Sequence, residues 1–185
     1  KYLWVLQKQQ WKMEDTKWLS VCDYVVYLLT GNLVTDPSFA ARTYLYNIKD
    51  GEWEADLLEK YDLHIRNLPV VIPSGSIAGT LKGTDNGHAQ TVQYSTKYHE
   101  YICAAYGMQL TESGLCNSCG TAETFVGVKA SFEGDQTEFN RGIVYGPYVD
   151  GKRFFALTNI PSSGQSIEWI RKQLTNQEIS YQKID

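Results

Sequence analysis

The chain has 185 residues, 43% of them hydrophobic, with 17 lysines and arginines against 21 aspartates and glutamates and a formal charge of −4. That composition supports one respectable hydrophobic core or two small ones. The negative balance, scattered basic residues and lack of any run of five like charges argue against a nucleic-acid surface, and the longest apolar run, residues 24–29, is too short to span a bilayer.

In chain order, residues 1–9 read as a helix with Leu3, Trp4 and Leu6 among its apolar positions. A second helix is predicted over 16–29, carrying Trp18, Leu19, Cys22, Val25, Val26 and Leu29 at helical spacing as core residues, with Gly31 as its stop. Asp50-Gly51 marks a turn, followed by a short helix over 53–61 with Leu57 and Leu58 inward. Pro69, Pro73 and the Gly/Ser cluster over 74–79 signal an extended connection. The polar stretch 79–90 reads as a loop that holds His88, and 91–96 as a strand with Val92 and Tyr94 alternating against polar neighbours. That strand leads to His99 and Glu100 at the start of a helix, and the first domain is expected to end near Gln109.

Two strands are predicted around Gly120-Thr121, then a polar excursion over 133–140. Residues 143–148, the Asp150-Gly151 turn and residues 153–158 form a hairpin pattern. From Ser162 a helix carrying Ile167, Trp169, Ile170 and Leu174 is expected to pack on that sheet, capped by Ser162 or Ser163.

The chemistry concentrates between His99 and Glu123. Glu100 falls in the first turn of the helix HEYICAAYG, where the helix dipole favours an ionised carboxylate ready to accept a proton. Downstream, Gly120 has no side chain to keep backbone N–H groups from phosphate oxygens, and the Thr121 hydroxyl adds a donor. Each element has a plainer reading: a helix-start Glu is commonly only a favourable charge, and Gly-Thr occurs in ordinary hairpins. The four cysteines are Cys22, Cys103, Cys116 and Cys119. Cys116 and Cys119 form a CxxC, but the flanks read as strand rather than helix and no second paired motif completes a zinc set, so packing cysteines are preferred.

HEYICAAYG followed by NSCGTAE resembles the centre of the FGGY carbohydrate kinases, where a His-Asp or Gly-Asp pair precedes an Ala-rich helix and a Ser-x-Gly-Thr hairpin follows. Lys1 to Leu6 resembles the family's Lys-x-x-Trp-Leu segment, and Asp23-Tyr24 through Leu28-Leu29-Thr30-Gly31 its LTG stretch. Thr35-Asp36, Ser38, Ala40-Ala41, Thr43, Leu45-Tyr46, Trp53, Leu68-Pro69 and Gly79-Thr80-Leu81 follow in the family's order. Phe155-Ala156-Leu157 through Ser166-Ile167-Glu168-Trp169-Ile170 resembles the strand and helix beyond the hairpin. The family's opening Asp-x-Gly-Thr phosphate loop and closing Gly-rich adenosine site are not among these residues. The chain therefore reads as the middle of a kinase, expected to be inactive alone.

The resemblance implies an α/β, ribonuclease H-like fold of the actin-like ATPase superfamily, spanning the end of the N-terminal lobe and the start of the C-terminal lobe. Residues 1–109 would be the C-terminal part of the sugar-binding domain and 110–185 the first part of the nucleotide-binding domain. The implied reaction moves the γ-phosphoryl group of ATP, with Mg²⁺, to a hydroxyl of a sugar or polyol. Glu100 is the implied base, His99 and Tyr101 the substrate contacts, and Ser118, Gly120 and Thr121 the phosphate contacts; no protein metal ligand is expected. As a lone histidine, His99 also has a purely structural reading. The partners are a sugar or polyol and ATP, with no nucleic acid and no membrane; the location is cytoplasmic, and a homodimer of the full-length protein stays open.

The family carries Asp where this chain has Glu100. One added methylene moves the carboxylate by roughly 1.5 Å unless the backbone compensates, a displacement that can cost about 10²-fold in rate. A kinase of unusual specificity and a catalytically impaired sugar-binding or regulatory relative are the two outcomes, of which the first is favoured because carboxylate chemistry is retained.

Overall fold

The computed structural model describes residues 2–82, 91–93, 100–120 and 122–174, apart from the side chains of Gln93, Glu100 and Leu174. The chain divides into two compact units, residues 1–100 with 146–153 and residues 101–145 with 154–185.

The first unit opens with α1 (Tyr2–Gln9) and a 3-10 turn at Met13–Asp15, followed by α2 (Val21–Thr30). The sequence pattern started α2 at residue 16, because Trp18 and Leu19 fit the helical period. The start is instead set by a capping box: Ser20 Oγ accepts from the Asp23 amide at 3.1 Å, and the Ser20 amide donates to Asp23 Oδ2 at 2.8 Å. The helix ends at Gly31, whose φ of 83° lies in the left-handed region, and whose amide reaches the Tyr27 carbonyl at 2.7 Å. Only part of the predicted stripe turns inward. Cys22 and Val26 pack on Val34, Phe39 and Ala78, whereas Val25 and Leu29 are exposed.

Next come β1 (Val34–Thr35), α3 (Pro37–Ala41), β2 (Tyr46–Asn47), β3 (Glu52–Trp53) and α4 (Ala55–Lys60), then β4 (Val70–Val71), β5 (Ile77–Thr80) and β6 (Thr91–Gln93). β1 runs parallel to β4, while β2–β3 and β5–β6 are antiparallel pairs. Trp53, expected in a helix, lies in β3, and its ring meets Tyr46 edge-on at 5.5 Å. Leu58, Leu63 and Leu68 form a second core, flanked by Tyr2, Met13, Trp18, Leu45 and Trp53.

Buried polar side chains tie these short elements together. Asp36 Oδ1 accepts from the Ser38 and Phe39 amides at 2.9 and 3.0 Å and from Ser38 Oγ at 2.8 Å, capping α3; Oδ2 accepts from Ser74 Oγ at 3.1 Å. Asn67 Nδ2 donates to the Met13 and Thr16 carbonyls at 2.6 and 2.7 Å, and the Asn67 carbonyl accepts from the Trp18 amide. The segment that the sequence pattern read as the start of a helix is thus held by hydrogen bonds to a distant turn.

From residue 100 onward, α5 (Glu100–Gly107) precedes β7 (Leu115–Cys119), β8 (Glu123–Lys129), α6 (Gln136–Asn140), β9 (Val144–Pro147), β10 (Phe154–Ile160) and α7 (Gly164–Leu174). The sheet order is β7-β8-β10-β9. β8 and β10 pair antiparallel over seven residues, from Phe154 opposite Lys129 to Ile160 opposite Glu123. Alternation places Thr124, Val126 and Val128 of β8 and Phe155 and Leu157 of β10 in the interior, as period-2 strands require. Thr124 sits opposite Asn159 and donates to its Oδ1 at 2.9 Å.

α6 falls in the stretch that the sequence pattern treated as polar coil; Asp135 caps it by accepting from the Glu138 amide at 2.8 Å. In α7, Ile167, Trp169 and Ile170 are exposed rather than packed as expected. No helix among the described residues is long and apolar enough to cross a membrane.

Candidate active site

Glu100 is the first residue of α5 and Tyr101, half-buried, the second. The Glu100 side chain, His99 and Thr121 lie outside the described residues. α5 buries Ile102 and Ala105, which fixes the rotation of the helix about its axis.

The predicted phosphate-binding bend is the turn between β7 and β8. The antiparallel register pairs Ser118 with Thr124 and Cys119 with Glu123, which leaves Gly120 and Ala122 in the connection between the strands. The Gly120 amide donates to the Ala122 carbonyl at 2.9 Å and is engaged within the turn. The Gly120 carbonyl accepts from the amide of Gly164, the first residue of α7, at 3.1 Å. A Cβ added at Gly164 would stand 3.1 Å from that carbonyl, so the close approach favours glycine there. At Gly120 an added Cβ would meet only the Ala122 carbonyl, at 3.6 Å, an ordinary contact.

Two features of this bend were not singled out from the sequence. One is Gly164, which meets the turn only because α7 starts beside it. The other is a polar cluster: Glu123 Oε1 accepts from Asn117 Nδ2 at 2.6 Å and from the Cys119 thiol at 3.7 Å. Strand alternation could have found the second, since Asn117 and Cys119 are two apart and Cys119 is opposite Glu123. The same alternation separates the CxxC thiols. Cys116 is buried and Cys119 exposed, three positions apart on one strand and so on opposite faces, which prevents a joint redox or metal role. Cys116 is a packing cysteine as expected; Cys119 is not.

Among the described residues no group of three or more His, Cys, Asp and Glu side chains is arranged to hold a metal. Mg²⁺ in phosphoryl transfer needs no such cage, because substrate phosphates, waters and one or two carboxylates usually complete its shell.

Outside the bend, perturbed groups have local causes. Burial pushes the Asp36 carboxyl up against the opposing pull of its four hydrogen bonds. Burial, then the charges of Asp36 and Glu52, raises the Tyr46 phenol. Tyr145 is pushed up to about 12 by desolvation and by its 2.9 Å hydrogen bond to Glu138.

Residues 1–95 match the FGGY family of carbohydrate kinases, N-terminal domain. The chain belongs to the FGGY family of carbohydrate kinases. It is 28% identical to a xylulose kinase of Staphylococcus xylosus over 186 aligned positions, covering 96% of this chain and 37% of the relative. It is 32% identical to a glycerol kinase of Shewanella baltica (strain OS185), covering 76% of this chain and 28% of that protein. Among solved structures, the fold is similar to a ligand-bound xylulose kinase from Lactobacillus acidophilus (TM-score 0.79, 20% identity, 96% of this chain and 37% of the other). It is also similar to a Plasmodium falciparum glycerol kinase with ADP (TM-score 0.77, 17% identity, 95% and 37%). The chain spans about a third of the length of the relatives it matches.

Proposed function

We propose that this chain is the central portion of an ATP-dependent carbohydrate kinase that transfers the γ-phosphoryl group of ATP to a hydroxyl of a sugar or polyol. The observation that carries this reading is the family match over residues 1–95, continued by a relative aligned over 96% of the chain. The fold is then a ribonuclease H-like fragment of the actin-like ATPase superfamily. Residues 1–109 close the sugar-binding lobe and 110–185 open the nucleotide-binding lobe. The protein acts in the cytoplasm.

In this reading Glu100, at the start of α5, accepts the proton of the attacking hydroxyl, and His99 and Tyr101 line the acceptor. Ser118, Gly120 and Thr121 hold phosphate oxygens at the β7–β8 turn. Mg²⁺ arrives with the nucleotide and neutralises charge as the phosphoryl group moves. The Gly120 amide leaves its Ala122 partner when a phosphate oxygen replaces that carbonyl as acceptor.

The test is ADP release by the gene product that carries this chain, measured with a panel of xylulose, gluconate, ribulose, fuculose and glycerol. Turnover of at least one acceptor is expected, and none with any sugar or polyol would contradict the proposal. Gly120→Ala sharpens it: the space at this position and its ordinary φ predict a stability change within about 1 kcal/mol. A rise in KM for ATP in that variant would then report nucleotide contact rather than misfolding.

A further inference from the structure

Glu123 takes no part in the chemistry above, yet it stands opposite Cys119 in the last ladder pair before the connection that holds Gly120 and Ala122. Its Oε1 accepts from Asn117 Nδ2 at 2.6 Å and from the Cys119 thiol at 3.7 Å. Both donors belong to β7 and the acceptor to β8, and period-2 alternation puts all three on one face of the sheet. The carboxylate thus spans the two strands at the mouth of the turn. Asn117 lies opposite Phe125, further from the turn than Cys119, so the bond to it draws the charge of Glu123 back along the ladder.

The end of a ladder frays more readily than its middle. Two contacts restrain this end: the Gly164 amide on the Gly120 carbonyl, at 3.1 Å, and the bridge made by Glu123. Hydrogen bonds to an ionised acceptor are about twice as strong as neutral ones. A carboxylate at this position without its two donors would act in the opposite sense, since a free negative charge so close to the turn repels phosphates.

We propose that Glu123 is a positioning residue for the nucleotide: by clasping β7 to β8 at the mouth of the turn, its carboxylate sets where the Gly120 amide meets a phosphate oxygen. The proposal rests on the kinase reading above, and Glu123 acts through the turn rather than on ATP or the acceptor. A bridge between exposed side chains adds little to global stability. Its loss is therefore read in ATP affinity, which a purely structural bridge would not move.

The test uses the full gene product that carries this chain, with the dissociation constant for Mg²⁺-ATP from titration calorimetry measured beside kcat and KM. Glu123→Ala is expected to weaken ATP binding and raise KM for ATP about fivefold or more, with kcat and the acceptor KM within about twofold of wild type. Glu123→Gln keeps an acceptor for Asn117 and is expected to restore most of that loss. Asn117→Ala removes the donor and should weaken ATP binding in the same direction; joined to Glu123→Ala it should add nothing, because both changes break one bridge. Unchanged ATP affinity in Glu123→Ala overturns the proposal, whatever the melting temperature of the variant. So does ATP binding that tightens in both Glu123 variants, which leaves the carboxylate only a repulsive charge, and so do effects of Asn117→Ala and Glu123→Ala that combine as independent sites. A wild type that binds ATP without phosphorylating any acceptor counts against the kinase reading alone, and the calorimetric comparison then decides the role of Glu123. A wild type that binds no ATP overturns both.

Discussion

In the second unit β8 and β10 run side by side for seven residues and bury alternate side chains, whereas no strand described in the first unit exceeds four residues. The first unit is joined instead by buried polar staples, with Asp36 bridging α3 to Ser74 and Asn67 holding the Met13–Thr16 segment. The ladder draws its stability from large apolar side chains buried in alternation, so removing one opens a cavity. A staple acts through one polar side chain whose loss leaves several donors or acceptors unpaired in the interior.

The difference can be broken most forcefully in the ladder. Phe155 is 3% exposed in β10, and Phe155→Ala should cost about 3–5 kcal/mol, read by urea denaturation of the chain. A cost below about 1 kcal/mol would mean that the sheet is not the core of its unit.

Legibility in the sequence followed the same division. The β9–β10 hairpin and the strands flanking Gly120 were readable because period-2 alternation and the Asp150-Gly151 turn are local signals. The start of α2 was misplaced because Trp18 and Leu19 match the helical period; Asn67, far along the chain, holds that segment out of the helix. α6 was missed because its cap, Asp135, stands in a stretch with little apolar patterning. Of the candidate site, sequence spacing placed Glu100 at a helix start and Gly120 in a turn between strands. It did not reveal Gly164, since that contact depends on where α7 begins.

The staple is tested at Asp36. Asp36→Ala strands the Ser38 and Phe39 amides and both hydroxyl donors, and should cost about 1–3 kcal/mol. Asp36→Asn keeps an acceptor for the cap and should cost less. The pH dependence gives a second measurement. Because burial raises the Asp36 carboxyl, the folded chain holds its proton more tightly than the unfolded chain does. The contribution of this group is therefore largest below the ordinary value of 3.8 and declines as pH rises through the raised folded value. Asp36→Asn should flatten that decline in denaturation curves taken across acidic pH; an unchanged slope would show that the carboxyl is not the group responsible.

A smaller effect of opposite sign is expected at the β9–β10 turn. Burial of Asp150 alone would raise its carboxyl, but the Lys152 and Arg153 amides and the Arg153 guanidinium, with Nε at 2.6 Å, together hold it below the ordinary range. Its contribution is present above the ordinary value of 3.8 and is lost as pH falls through the lowered folded value. Asp150→Asn should destabilise the chain by less than about 1 kcal/mol at neutral pH, since the pair is partly exposed, and the difference should vanish in strong acid. A difference that persists at acidic pH would assign the effect to the shape of the turn rather than to charge.

Within the kinase reading, the role of proton acceptor falls to Glu100, the first residue of α5. ADP release by the full gene product, compared between wild type, Glu100→Asp and Glu100→Gln with the same acceptor, tests it most directly. Turnover by the wild type is expected, with retained activity for Glu100→Asp and a loss of about 10²-fold or more for Glu100→Gln with KM for the acceptor little changed. A Glu100→Gln enzyme as fast as the wild type would contradict it.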